Sequence, residues 1–142
     1  PEIIRNNMWV TTQNLVTQTL TAAGSPYYLG FDGARGVPII DGILTIEPGV
    51  VIKVGGWYQY GWYTWPVALT VRGKIIALGT EQNPIIFTAA DDPDYCAMPE
   101  SNPANLQTWD GFIFQSAGNI FEHAYSRYAG NQGAELRPVL GN

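Results

Sequence analysis

Charge is what this sequence has least of: Asp, Glu, Lys and Arg make up only 13% of its 142 residues, about half the usual share of a globular domain. Its seven basic residues, Arg5, Arg35, Lys53, Arg72, Lys74, Arg127 and Arg137, are scattered, and the net charge is −5. Nucleic-acid recognition needs a clustered basic footprint, so that class is set aside, and the acidic balance disfavours anionic membranes. No apolar run approaches the ~20 residues of a membrane-spanning helix, so no membrane insertion is expected. Cys96 is the one cysteine. It can make no intrachain disulfide, and a half-buried thiol is the expectation, with an intermolecular disulfide as the alternative. His123 is the one histidine, which excludes a histidine-rich zinc site; no nucleophile-plus-base motif accompanies it, so a surface or satisfied core position is expected. A charged and then apolar leader is also missing, and a start at Pro1 fits a processed chain or a fragment.

Helix signals are scarce too. Apolar residues recur at period two or in short β-branched runs bounded by Gly, Pro, Asn and Asp, the pattern of strands. It predicts strands at 9–12, 15–20, 39–40, 43–46, 50–54, 68–71, 74–78, 85–88, 111–114, 119–121 and 123–128. Leu44-Thr45-Ile46-Glu47-Pro48-Gly49-Val50-Val51-Ile52-Lys53-Val54 and Leu69-Thr70-Val71-Arg72-Gly73-Lys74-Ile75-Ile76-Ala77-Leu78 both read as strand, tight turn, strand. Glu47-Pro48-Gly49 suits a type II bend, with Pro presetting φ and Gly taking positive φ, and Arg72-Gly73 is aligned to the same corner. The triplets Ile85-Ile86-Phe87 and Phe112-Ile113-Phe114 are taken as a further, degraded copy. A repeat in the mid-twenties of residues is too long for a hairpin and suits one turn of a solenoid. That alignment predicts ladders of Leu44 on Leu69, Thr45 on Thr70, Ile46 on Val71 and Ile52 on Ile76.

These motifs, continued through Gly79-Thr80-Glu81-Gln82-Asn83-Pro84-Ile85-Ile86-Phe87-Thr88, Trp109-Asp110-Gly111-Phe112-Ile113-Phe114 and Tyr128-Ala129-Gly130, resemble the right-handed parallel β-helix repeat proteins that bacteria secrete, many of them large surface or adhesin-like chains. Ser25-Pro26-Tyr27-Tyr28-Leu29 resembles the strand preceding the Pro-Gly turn in that family. The resemblance covers roughly residues 25–130. It implies an all-β fold, a right-handed parallel β-helix of about five coils stacked ~4.8 Å apart, and an extracellular or cell-surface location. Residues 1–24 are expected to form an N-terminal strand-like arm or cap, and 25–142 the β-helix. The motif marks corners and core positions, so it carries over no catalytic residue.

The most unusual stretch is 57–65, where Trp57, Tyr58, Tyr60, Trp62, Tyr63 and Trp65 make six of nine residues aromatic. It interrupts the repeat and predicts a protruding loop over 55–66. Exposed aromatic surface of this size marks binding, either to protein, a second copy included, or to the flat faces of sugars; the plain alternative is a loop folded back on its own chain. Asp91, Asp92 and Asp94 place three carboxylates in one loop. They are a Ca²⁺ candidate without EF-hand spacing, against which stands a solvated turn, for which Asp is well suited. No basic residue can be tied to this loop from sequence, which leaves a polysaccharide-lyase reading without its proton acceptor. Threonines such as Thr17, Thr19 and Thr21 do not form the regular ladder that ice binding requires.

Few charges, an aromatic loop, an N-terminal arm and a C-terminal stretch 133–142 with one Glu and one Arg point to a non-catalytic extracellular structural protein. The expected function is a self-assembling surface fibre whose subunits stack head to tail as a homo-oligomer or filament. A carbohydrate-binding or adhesion module using the aromatic loop is the alternative, and a lyase-like enzyme the second alternative. No cofactor is expected beyond the Ca²⁺ candidate.

Overall fold

The computed structural model of the chain describes residues 9–10, 17–30, 38–55, 57–60, 63–95, 108–130 and 132–141; at 9–10, 57–60 and 63–65 the description is of the backbone. Among the described residues fifteen strands follow one another: β1 Trp9–Val10, β2 Gln18–Leu20, β3 Tyr27–Gly30, β4 Ile39–Ile40, β5 Ile43–Ile46, β6 Val51–Gly55, β7 Trp57–Tyr60, β8 Tyr63–Pro66, β9 Leu69–Val71, β10 Lys74–Leu78, β11 Ile85–Ala89, β12 Phe112–Phe114, β13 Ile120–Glu122, β14 Ala124–Ser126 and β15 Arg137–Pro138. A single 3-10 turn, Ala22–Gly24, is the only helical element among the described residues. The fold is all-β, and among the described residues no helix is long and apolar enough to cross a membrane.

Three sheets carry the architecture. The first runs β1-β3-β6-β11-β14-β15, the second β2-β5-β10-β13 and the third β4-β9-β12. Every pairing in them is parallel except β14 with β15. The chain visits third, second and first sheet in turn: β4-β5-β6, then β9-β10-β11, then β12-β13-β14. Each three-strand unit lies alongside the next and hides its inner face against the others, since a lone unit has nothing to cover it. Alternation sorts the side chains. Leu44 and Ile46 of β5, Ile75 and Ala77 of β10, Leu69 and Val71 of β9, and Ile52, Val54, Ile85, Phe87 and Ala89 of the first sheet share one core.

The register corrects the ladders expected from sequence. Leu44 pairs with Ile75, Ile46 with Ala77 and Ile52 with Phe87. Leu69 pairs with Phe112, and Val71 with Ile40. Thr45 lies between Thr19 and Ile76, whereas Thr70 lies between Ile39 and Ile113 in another sheet. The triplets 85–87 and 112–114 likewise belong to different sheets. The physical reason is at the corners. Arg72-Gly73 stacks on Asp41-Gly42, not on Glu47-Pro48-Gly49: the Arg72 and Gly73 N–H groups both donate to Ile40 O at 2.9 Å, and Lys74 N–H donates to Gly42 O at 3.0 Å. A Cβ on Gly73 would sit 2.0 Å from Gly42 O, so only glycine permits this approach. Glu47-Pro48-Gly49 does form the expected bend, with Gly49 at φ 83°, and its N–H donates to Asn83 O of the next unit at 3.0 Å.

His123 is an exposed one-residue corner at φ 45°, not a strand residue, and its carbonyl accepts Ile85 N–H at 2.9 Å. Asn119, buried at the preceding corner, accepts Ile75 N–H through Oδ1 at 2.8 Å. Of the segment 1–24, β1 pairs in parallel with β3 and β2 with β5, so both strands belong to the sheets. At the other end, in the sparsely charged stretch 133–142, β15 takes the far side of β14 in antiparallel register.

Candidate functional site

The three kinds of corner are not alike. Third-to-second connections are short (41–42, 72–73, 115–119), as are second-to-first connections (21–26, 47–50, 79–84, and 123 alone). First-to-third connections hold the insertions: 31–38, 56–68 and 90–111. In repeat architectures, insertions gathered on one side build the binding face. The aromatic stretch is one of them. Its backbone is a hairpin, with β7 antiparallel to β8 and Tyr58 opposite Trp65, Gln59 opposite Thr64 and Tyr60 opposite Tyr63. Among the described residues these strands pair only with each other. Trp62 and Cys96 lie outside the described residues.

Below the next insertion is a polar cluster that sequence reasoning missed. The core side of the first sheet is apolar, but its other face carries Tyr28, Lys53 and Thr88 in one register row. All three are buried. Asp92, in the turn after β11, is 0% exposed and not the solvated loop residue expected. Its main-chain carbonyl accepts Lys53 Nζ at 2.6 Å, and its Oδ2 accepts Thr88 Oγ1 at 2.6 Å. Its Oδ1 accepts Asp94 N–H at 3.0 Å, the Asx arrangement that closes the turn. Arg127, just beyond β14 and with a side chain only 7% exposed, brings Nε to 3.2 Å from Asp92 Oδ2. That nitrogen has no hydrogen-bond partner, so this contact is an ion pair without a directed bond. Arg127 Nη2 donates to Asp94 Oδ2 at 3.0 Å and to Tyr128 Oη at 3.1 Å.

The guanidinium also lies over two rings, 5.3 Å from the centroid of Tyr95 and 4.8 Å from that of Tyr128, both within cation–π range. Burial works against its charge, but the Tyr128 hydrogen bond, Asp92 and Asp94 outweigh it and hold Arg127 above the ordinary arginine range. Two strands of the first sheet, β6 and β11, and the residue that follows β14 thus contribute to fixing one turn. The wall beside it is equally fixed. Trp109 is fully buried, donates Nε1–H to Arg127 O at 3.0 Å, and stacks near Phe87 and edge-on to Phe112.

The Ca²⁺ candidate therefore meets a carboxylate with both oxygens engaged, Asp92, beside one paired through Oδ2 with Arg127, Asp94, and a cation there would displace a guanidinium. Asp91 is half-buried beside them. Among the described residues no three His, Cys, Asp or Glu side chains gather as a metal set. One signal for the missed cluster stood in the sequence: Lys53 interrupts the otherwise apolar run Val50–Val54, and a Lys within a strand buried on both faces requires a partner. No protein-family model matches the chain, and neither a curated protein nor a solved structure matches it.

Proposed function

We propose that this chain is a non-catalytic, extracellular adhesive module, a right-handed parallel β-helix whose first-to-third corner is the contact surface and whose aromatic hairpin is its principal anchor. Three parallel sheets visited in fixed order support the β-helix, and parallel crossovers are right-handed in ~98% of known cases. The observation that carries the functional reading is the gathering of the insertions at one corner, with an uncharged aromatic hairpin among them. A two-stranded hairpin alone is marginal in water, and one rich in Trp and Tyr gains most by covering itself with a partner.

The polar cluster favours a structural role over lyase chemistry. A proton acceptor must reach substrate, whereas Lys53 is 0% exposed and the Arg127 side chain only 7%. A second reading, stacking of copies into a fibre, draws on Ile113 of β12 and Ile120 of β13, which are 48% and 45% exposed on the last strands of the third and second sheets among the described residues.

The test is a comparison of wild type with Trp57→Ala/Trp62→Ala/Trp65→Ala, by glycan array and by sedimentation over a concentration series. Wild type is expected to bind a glycan or itself, and the triple variant to remain folded and lose that binding. Equal binding by both proteins, or a wild type that is monomeric and silent on the array, would overturn the reading.

A further inference from the structure

We propose that Asp94, Tyr95 and Tyr128 form a subsite for a neutral saccharide, held in shape by Arg127 from beneath. This inference rests on reading the insertion corner as a binding face, and it names the ligand class. The three side chains come from two connections, one after β11 and one after β14, and Arg127 contacts all three. Arg127 is almost wholly buried, whereas the Asp94 side chain is 65% exposed and both tyrosines are half-buried. The layering is that of a built site: a buried base of Lys53, Thr88 and Asp92, a guanidinium above it, and two rings and a carboxylate at the surface.

Each surface group matches part of a pyranose. The carbon-bound hydrogens on a sugar face stack on an aromatic ring, and the rings here are pinned by the guanidinium, so little side-chain entropy is lost on binding. Asp94 spends Oδ2 on Arg127, and among the described residues nothing engages its Oδ1, which can accept a sugar hydroxyl. Tyr128 Oη accepts from Arg127, which leaves its own proton to donate. Tyr128 has a left-handed backbone at φ 60°, an arrangement costly for a tyrosine and characteristic of functional sites. An exposed carboxylate on a chain of net charge −5 repels uronates, so the ligand is neutral.

The experiment is calorimetric titration of the whole chain with cellohexaose and mannohexaose, and with hexagalacturonate as the anionic control. One neutral hexamer is expected to bind, with hexagalacturonate at least about tenfold weaker. Asp94→Ala and Tyr95→Ala are each expected to raise Kd about fivefold to tenfold while the thermal midpoint falls by no more than about 4 °C, and Tyr95→Phe stays within about twofold. If the neutral hexamer binds equally to Asp94→Ala and Tyr95→Ala but not to the triple tryptophan variant, the subsite is overturned and the hairpin reading stands. If no hexamer binds wild type, the saccharide assignment is overturned, while the corner can still serve a protein partner.

Discussion

Arg127 and Asp92 are opposite charges taken almost wholly out of water, and their relation is the most consequential single contact at the corner. Removing one partner of such a pair strands the other. Arg127→Met is therefore expected to destabilise the fold by about 3–5 kcal/mol in urea denaturation, whereas Asp94→Ala, at the exposed end of the same network, should cost less than about 1 kcal/mol. The pH dependence has a definite sign. A cation whose folded pKa is raised contributes stability below its unfolded pKa and loses it only as pH rises through the folded value. Arg127 is held above an already very high range, so the deficit of Arg127→Met should not shrink between neutral pH and about pH 9. Gly73 offers a test that involves no charge. With Gly42 O at 2.0 Å from where a Cβ would be, Gly73→Ala must push two stacked corners apart, and a loss of roughly 3 kcal/mol is expected by the same measurement.

Among the elements, the β7–β8 hairpin is separable and the parallel strands are not. Among the described residues it pairs only with itself, while Val67 just beyond it is fully buried in the core. Replacing residues 57–65 by a short Gly-Ser linker should leave the far-UV circular dichroism of the sheets in place and shift the thermal midpoint by no more than ~4 °C. Strands were the most legible part of this sequence. β4, β5 and β10 have the ends that alternation predicts, because each is bounded by residues that cannot continue a strand. Register was not legible. Leu44 aligns as readily with Leu69 as with Ile75, since apolar periodicity fixes which side chains face the core and not which strand lies alongside. Only the corner hydrogen bonds from Arg72, Gly73 and Lys74 to Ile40 and Gly42 decide it. The aromatic segment could be read as an insertion from its composition. Of the Lys53–Asp92–Arg127 cluster only Lys53 stood out, as a charge in an apolar strand; its partners did not, because the members are 39 and 35 residues apart (92 − 53 and 127 − 92) and the sheet brings them together.

For the molecule as a whole, the division of labour is spatial. Two sets of corners run from one to six residues and carry the stacking, and the third set holds the longer, more varied connections. Such a scaffold holds loop residues on a rigid frame, which suits recognition by preformed surfaces. The outer face of the second sheet is the competing surface, with Ile43, Leu78 and Ile120 exposed on three of its strands. The most direct test of the account is the hydrogen-exchange footprint of the whole chain, free and saturated with its best glycan from the array. Protection confined to 57–66, 91–95 and 127–130 is the result the account predicts. Protection centred on β5, β10 and β13, with the insertions unchanged, would contradict it.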